Sequence, residues 1–298
     1  MNGLELSKEY YLKVGRPMLE KNFPDVLPRI ATGLSGEGSE CLGFDDETSH
    51  DHDFGPGFCI WLTDDDFRKY GALIQAEYDR LPKDFSGFQK RNETLEAGRR
   101  VGVMSISAFY AKFLGDSFMP LKESDWNHYE ECLLATATNG EVFEDGPGEF
   151  SRIRNTLSYY PYNVWVQKAA SSVHLLSQAG QYNYERSLKR GEKMAALLSI
   201  SHFMEESIHL SHLLSKRYEP YYKWAWRSFT SLPDSREISS LLSKLPEYAA
   251  NGDDWRAHII IEKVCSHYVA SLNELGLSDT KDTFLEAHVH KISEKYRT

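Results

Sequence analysis

Hydrophobic positions change their rhythm about halfway along the chain. Up to residue 146, short apolar or β-branched runs stand between Gly, Pro and Asp: Pro28 to Leu34 (PRIATGL), Phe58 to Leu62 (FCIWL), Val101 to Ser107 (VGVMSIS) and Glu141 to Phe143 (EVF). Each has the length and bracketing of a strand. Between the second and third, TDDDFRKYGALIQAEYDRL predicts a helix, with Thr63 as N-cap and acidic residues in the first turn, where they meet the positive end of the helix dipole. A shorter helix is expected over roughly Ser124 to Thr138.

After EDGPGEF, apolar residues recur at three- and four-residue steps. Helices are expected over Tyr162 to Ala179, Tyr184 to Arg217, Tyr221 to Ser231, Glu237 to Leu245, Asp254 to Leu275 and Thr283 to Tyr296. Breaks fall at Gly180, Pro220, Pro233, Pro246, Gly252 and Gly276, residues that end helices. The expected class is α+β, with a mixed-sheet domain over 1–146 followed by an all-α helical bundle domain over 147–298.

Composition narrows the setting. A length of 298 residues suits two domains, and the apolar fraction of 41% is that of a globular chain. The longest apolar stretches fall short of the ~20 residues that cross a bilayer. MNGLELSKEYYLKV has no basic segment leading into an apolar one, so no export signal is expected. Cys41, Cys59, Cys132 and Cys265 form no C-x-x-C pair; this fits a reduced, cytoplasmic setting without a zinc ribbon or disulfide framework. The net charge of −10, from 34 basic and 44 acidic side chains, repels polyanions and gives no general support for nucleic-acid binding.

Candidate chemistry is concentrated in GLSGEGSECLGFDDETSHDHDFGPGF, residues 33–58. Five carboxylates (Asp45, Asp46, Glu47, Asp51, Asp53) and two imidazoles (His50, His52) lie within nine residues. Like charges at that density need a counter-charge, which bound cations supply. The turn Gly36-Glu37-Gly38-Ser39 lets backbone approach a ligand closely, with N–H groups and the Ser39 hydroxyl free to meet phosphate oxygens. If Asp51 and Asp53 lie in an extended segment, their side chains share one face about 6–7 Å apart. Held so, they can bracket Mg²⁺, or Mn²⁺ in its place, against a triphosphate. His50 and His52 make zinc a rival, and an acidic loop or Gly-Ser turn taken alone reads as a solvated face or a plain turn.

A strand, a Gly-Ser turn, a spacer of about a dozen residues and Asp-x-Asp together resemble the motif of the polymerase-beta-like nucleotidyltransferase superfamily. GEGSECLGFDD and DHDFGPGF are most similar to an uncharacterised bacterial family of that superfamily. AGQYNYERSLKRGE (Ala179 to Glu192) and KRYEPYYKWAWRSF (Lys216 to Phe229) are similar to that family's helical half, and distantly to aminoglycoside nucleotidyltransferases. The resemblance spans roughly residues 25 to 232. It implies transfer of a nucleoside monophosphate, AMP by expectation, from a nucleoside triphosphate to a hydroxyl on a small molecule or macromolecule, with release of pyrophosphate. It also implies a helical domain closing the nucleotide and acceptor cleft, Gly38 and Ser39 on the triphosphate, and Asp51 and Asp53 on the metal.

The superfamily's third carboxylate has no counterpart in VGVMSIS. Glu141, Glu144 and Asp145 of the fourth strand remain, with Glu144 or Asp145 expected as the base. A protein that binds nucleotide but transfers nothing is the alternative, and a metal-dependent phosphohydrolase a weaker one. In the helical half, Tyr182, Arg186, Lys189 and Lys223 are expected nucleotide contacts, set within an aromatic and basic cluster that also reads as bundle core with snorkelling cations. Arg152 and Arg154 could face the same cleft. His174, His202, His209 and His212 read as interior or surface residues. The Arg-to-His spacings do not fit a helical nuclease.

Overall fold

A computed structural model describes residues 1–51, 54–89, 91, 99–120 and 122–296, with the side chains of His50 and Asp51 outside the description. The fold is mixed α+β: one four-stranded mixed sheet and a majority of helix, arranged in two compact units. Among the described residues, no helix is long and apolar enough to cross a membrane.

The first unit comprises Met1–Leu121 and His128–Ser158. It opens with α1 (Gly3–Tyr10), a π-helical segment (Tyr11–Gly15) and α2 (Arg16–Asn22). Asn2 and Glu5 form a capping box at the start of α1. There follow β1 (Ala31–Leu34), β2 (Cys59–Leu62), α3 (Asp64–Asp79), β3 (Gly102–Ser105), α4 (Ile106–Leu114), α5 (Glu131–Thr138), β4 (Glu141–Asp145) and α6 (Glu149–Thr156). The sheet order is β3-β2-β1-β4, with β1 antiparallel to both β2 and β4, and β2 parallel to β3.

All of Cys59–Leu62 is buried because helices cover both faces of the sheet. Ile60 and Leu62 pack with Tyr10, Tyr11, Leu19, Ile74 and Tyr78 on one face. Trp61 stacks on Phe150 at 3.9 Å and meets Phe109 edge-on on the other. Alternating side chains on opposite faces thus yield a continuous apolar run when both faces are covered. Thr63 caps α3 by accepting a hydrogen bond from Asp66 N at 3.2 Å, as its sequence predicts.

The second unit comprises Lys122–Asn127 and Tyr159–Thr298. Its helices are α7 (Tyr162–Leu176), α8 (Glu185–Lys189), α9 (Lys193–Leu214), α10 (Tyr222–Thr230), α11 (Ser235–Leu242), α12 (Leu245–Ala250), α13 (Asp254–Glu274) and α14 (Glu286–Ser293). The helix expected over Ser124 to Thr138 is in fact two pieces: a 3₁₀ segment Glu123–His128 and α5.

Gly180 does not end a helix. The chain passes from α7 through a π segment (Ser177–Tyr184) into α8. A Cβ at Gly180 would lie 2.3 Å from Cδ2 of Phe203, so the glycine is there to let α9 pack close, not to stop the helix. The break comes instead at Gly191, whose φ of +75° ends α8. Gly180→Ala should lower stability by about 1–3 kcal/mol through overpacking against Phe203, read as a reduced urea midpoint at unchanged m-value.

His212 is fully buried in α9. Its Nδ1–H donates to the Ile208 carbonyl at 2.9 Å, and its Nε2 accepts from Ser228 Oγ at 2.8 Å. Burial holds its pKa below the usual 6.5, outweighing the Ile208 contact. Below that value the unfolded chain takes up a proton that the folded chain resists. The group's stabilisation is therefore complete above pH 6.5 and is lost as pH falls toward the depressed folded value. Urea titrations from about pH 8 to pH 5 should show a slope of stability with pH that flattens in His212→Gln.

Candidate functional site

Strand register gathers the ends that matter. Gly33 pairs with Cys59, Leu34 with Glu141, and Cys59 with Gly102. The C-terminal end of β1 therefore lies beside the N-terminal ends of β2, β3 and β4, and the Gly-Ser turn follows β1 at that end of the sheet.

The turn is built by contacts from far along the chain. Gly36 and Gly38 take φ of +113° and +124°, values that side-chain-bearing residues rarely adopt. Asn139, just past α5, pins Gly36 from both sides: its Oδ1 accepts from Gly36 N and its Nδ2 donates to Gly36 O, each at 2.8 Å. A Cβ at Gly38 would lie 2.5 Å from Oε2 of Glu40, whose carboxylate fills that space. Ser39 opens a 3₁₀ segment (Glu40–Leu42) without capping it through its hydroxyl. Both Gly38 and Ser39 are half-buried.

Glu40 is the main feature that sequence reasoning missed. It is buried, and Arg91 Nη1 donates to its Oε1 at 2.7 Å while Arg91 Nη2 donates to the Gly55 carbonyl at 3.2 Å. Burial alone would lower the Arg91 pKa, but the Glu40 carboxylate raises it above the usual value. An ion pair across 51 positions leaves no mark in local periodicity.

The acidic run is partly folded onto itself. Asp45 Oδ2 accepts from Gly3 N at 2.8 Å, tying the run to the start of α1. Asp46 Oδ1 accepts from Thr48 N at 3.1 Å and from Ser49 N and Oγ at 3.2 Å. These local bonds favour a turn over extended chain, and Glu47–Asp51 forms a 3₁₀ segment. Asp51 is the last residue of that segment to be described. Its side chain, with His52 and Asp53, lies outside the described residues. Among the described residues, no group of three or more His, Cys, Asp or Glu side chains is placed to hold a metal ion.

Glu144 and Asp145 pair with Thr32 and Ala31, about 13–17 Å along the chain from Gly36, where the turn begins, at ~3.3 Å per residue. Both have structural partners. Glu144 accepts from the Tyr11 hydroxyl at 2.7 Å and is also bonded by the Arg16 guanidinium. Burial, chiefly, with the Glu144 contact adding to it, raises the Tyr11 pKa well above normal. Asp145 accepts from Gly148 N at 2.9 Å and Ser151 N at 2.8 Å, satisfying N–H groups at the start of α6. Glu141, at the turn's end of the sheet, is half-exposed and paired with Lys8.

The remaining predicted contacts divide between the two units. In the second unit, Arg186 Nη1 donates to the Tyr182 hydroxyl at 2.6 Å and stacks over its ring. Lys189 pairs with Glu185, and Lys223 sits over Trp224 on α10. In the first unit, Arg154 spends its guanidinium on the carbonyls of Thr138, Asn139 and Gly140 at 2.9–3.1 Å, bracing the end of α5 that carries Asn139.

A family profile described as a domain of unknown function (DUF4037) matches residues 126–225. The match takes in β4, Arg186 and Lys223 but not the Gly-Ser turn or the acidic run. No curated protein and no solved structure matches the chain.

Proposed function

We propose that the protein is a nucleotidyltransferase in which a nucleotidyltransferase-type sheet domain is followed by a helical domain. It would transfer a nucleoside monophosphate, AMP by preference, from a nucleoside triphosphate to a hydroxyl acceptor. The observation that carries this reading is the register Gly33↔Cys59, by which the end of β1 that leads into the Gly-Ser turn lies beside the start of β2, the strand that follows Asp51 and Asp53 in sequence. Gly38 and Ser39 offer backbone approach and a hydroxyl to the triphosphate. The oxygen-only carboxylates of Asp51 and Asp53 are the hard donors that Mg²⁺ prefers. Bound there, Mg²⁺ would supply neutralisation of phosphate charge.

In the reaction, the acceptor oxygen bonds to the α-phosphorus, the bond to the pyrophosphate oxygen breaks, and the acceptor proton passes to a carboxylate. Glu141 fits that last role better than Glu144 or Asp145, because it stands at the turn's end of the sheet and is paired with an exposed lysine, Lys8. The engagement of Glu144 and Asp145 also favours a second reading, a nucleotide-binding protein that performs no transfer. Incubation with each labelled nucleoside triphosphate and Mg²⁺ separates the two: transfer releases pyrophosphate and binding alone does not.

A further inference from the structure

The outward face of α9 changes character along its length. Ala196, Ser199, Ile200, Phe203 and Leu210 are buried and define the inner face. Opposite them, at steps of three and four residues, stand Met194, Leu197, Leu198, Ser201 and Glu205. Met194, Leu197 and Leu198 are 69%, 41% and 58% exposed, so the first turns of the helix are apolar on the outside as well as on the inside. A helix that is apolar all round is one that something covers.

Charges at the two ends of these turns indicate what covers them. On one side lie Arg190 and Lys193, both exposed and without a carboxylate partner among the described residues, with Glu192 between them. The N-terminus of α9 adds its own partial positive charge there. On the other side lies the exposed carboxylate of Glu205, 3.4 Å from His202 Nδ1. Its neighbour Glu206 is drawn inward and accepts from Ser172 Oγ at 2.9 Å. Along the outer face the order is therefore positive, apolar, negative, over about 18 Å from Lys193 to Glu205 at 1.5 Å per residue. Such an order is its own complement when a second copy runs antiparallel, since apolar turns then meet apolar turns and each positive end meets a negative one. A parallel copy would bring like charges together.

We propose that α9 is the contact between two copies of this chain, antiparallel across a two-fold axis that passes near Leu198. Contacts of this kind use the same patch on both protomers. Glu205 of one protomer then falls beside the partner's Lys193, and the reverse pair repeats across the axis. The contact stands whether or not the protein transfers a nucleotide.

Sedimentation velocity of the full chain at increasing concentration should show a monomer–dimer equilibrium. Leu198→Glu should raise its dissociation constant about a hundredfold, because two leucines leave the interface and two carboxylates face each other across the axis. Leu73→Glu, at an equally exposed leucine on α3 of the first unit, should leave it unchanged. Lys193→Glu and Glu205→Lys should each weaken association about tenfold, since each sets like charges together at both ends of the contact. An equimolar mixture of these two variants should recover the dimer, because opposite charges meet again at each end of the mixed pair. Melting temperatures equal to that of the wild type would show that α9 folds in every variant. A wild type that stays monomeric would overturn the proposal in favour of a different partner. A dimer indifferent to Leu198→Glu, or a mixture that associates no better than its components, would overturn it as well.

Discussion

Replacing Asp51 and Asp53 together by asparagine is expected to reduce Mg²⁺-dependent pyrophosphate release by about 10³-fold or more, equivalent to at least about 4 kcal/mol of barrier. The transferring phosphoryl groups carry several negative charges, and asparagine keeps the shape of aspartate while removing the charge that holds a divalent cation against them. The same substitution should leave the metal-free protein as stable as before or slightly more so. It removes two charges from a run of five carboxylates within nine residues, where like charges repel. An unchanged or raised melting temperature with lost pyrophosphate release separates loss of chemistry from loss of fold. Release at the wild-type rate would remove Asp51 and Asp53 from the reaction.

The largest expected effect on stability belongs to Glu40 and Arg91. Their side chains are 5% and 4% exposed, so Arg91→Met strands a carboxylate in the interior beneath Gly38. Breaking a buried pair by removing one partner costs about 3–5 kcal/mol. Arg91→Met should lower the stability of the first unit by that amount, and Glu40→Leu with Arg91→Met should restore most of it, because two apolar side chains need no counter-charge. Urea denaturation of both single variants and the double variant forms the cycle that isolates the pairing energy. Three variants with additive effects would show that the two groups do not depend on each other. Either single variant should also disturb the Gly-Ser turn, since the Glu40 carboxylate fills the space under Gly38.

Several features followed from local chemistry and were legible for that reason. The four strands lie within or beside their apolar runs, Thr63 caps α3, and α13 ends within one residue of its expected limit. The N-terminal helices were not legible. Gly15, Arg16 and Pro17 look like a break, yet the chain continues helical through them. A Cβ at Gly15 would lie 2.2 Å from the Phe58 ring, and Pro17, just after the π segment, gives up one intrahelical N–H bond without ending the helix. A glycine that permits close packing and a glycine that stops a helix look alike in one dimension.

By itself the sequence determined the alternation of strands and helices, the glycine turn and the density of acid beside it, because each depends on neighbours within a few residues. Only the tertiary structure decided what each carboxylate is used for. Glu40 goes to Arg91, Glu144 to Tyr11 and Arg16, Asp145 to the start of α6, and Glu37 to Lys112. A carboxylate's role is set by the cation or N–H group that reaches it in space, and for most of these that partner lies 51 or more positions away along the chain.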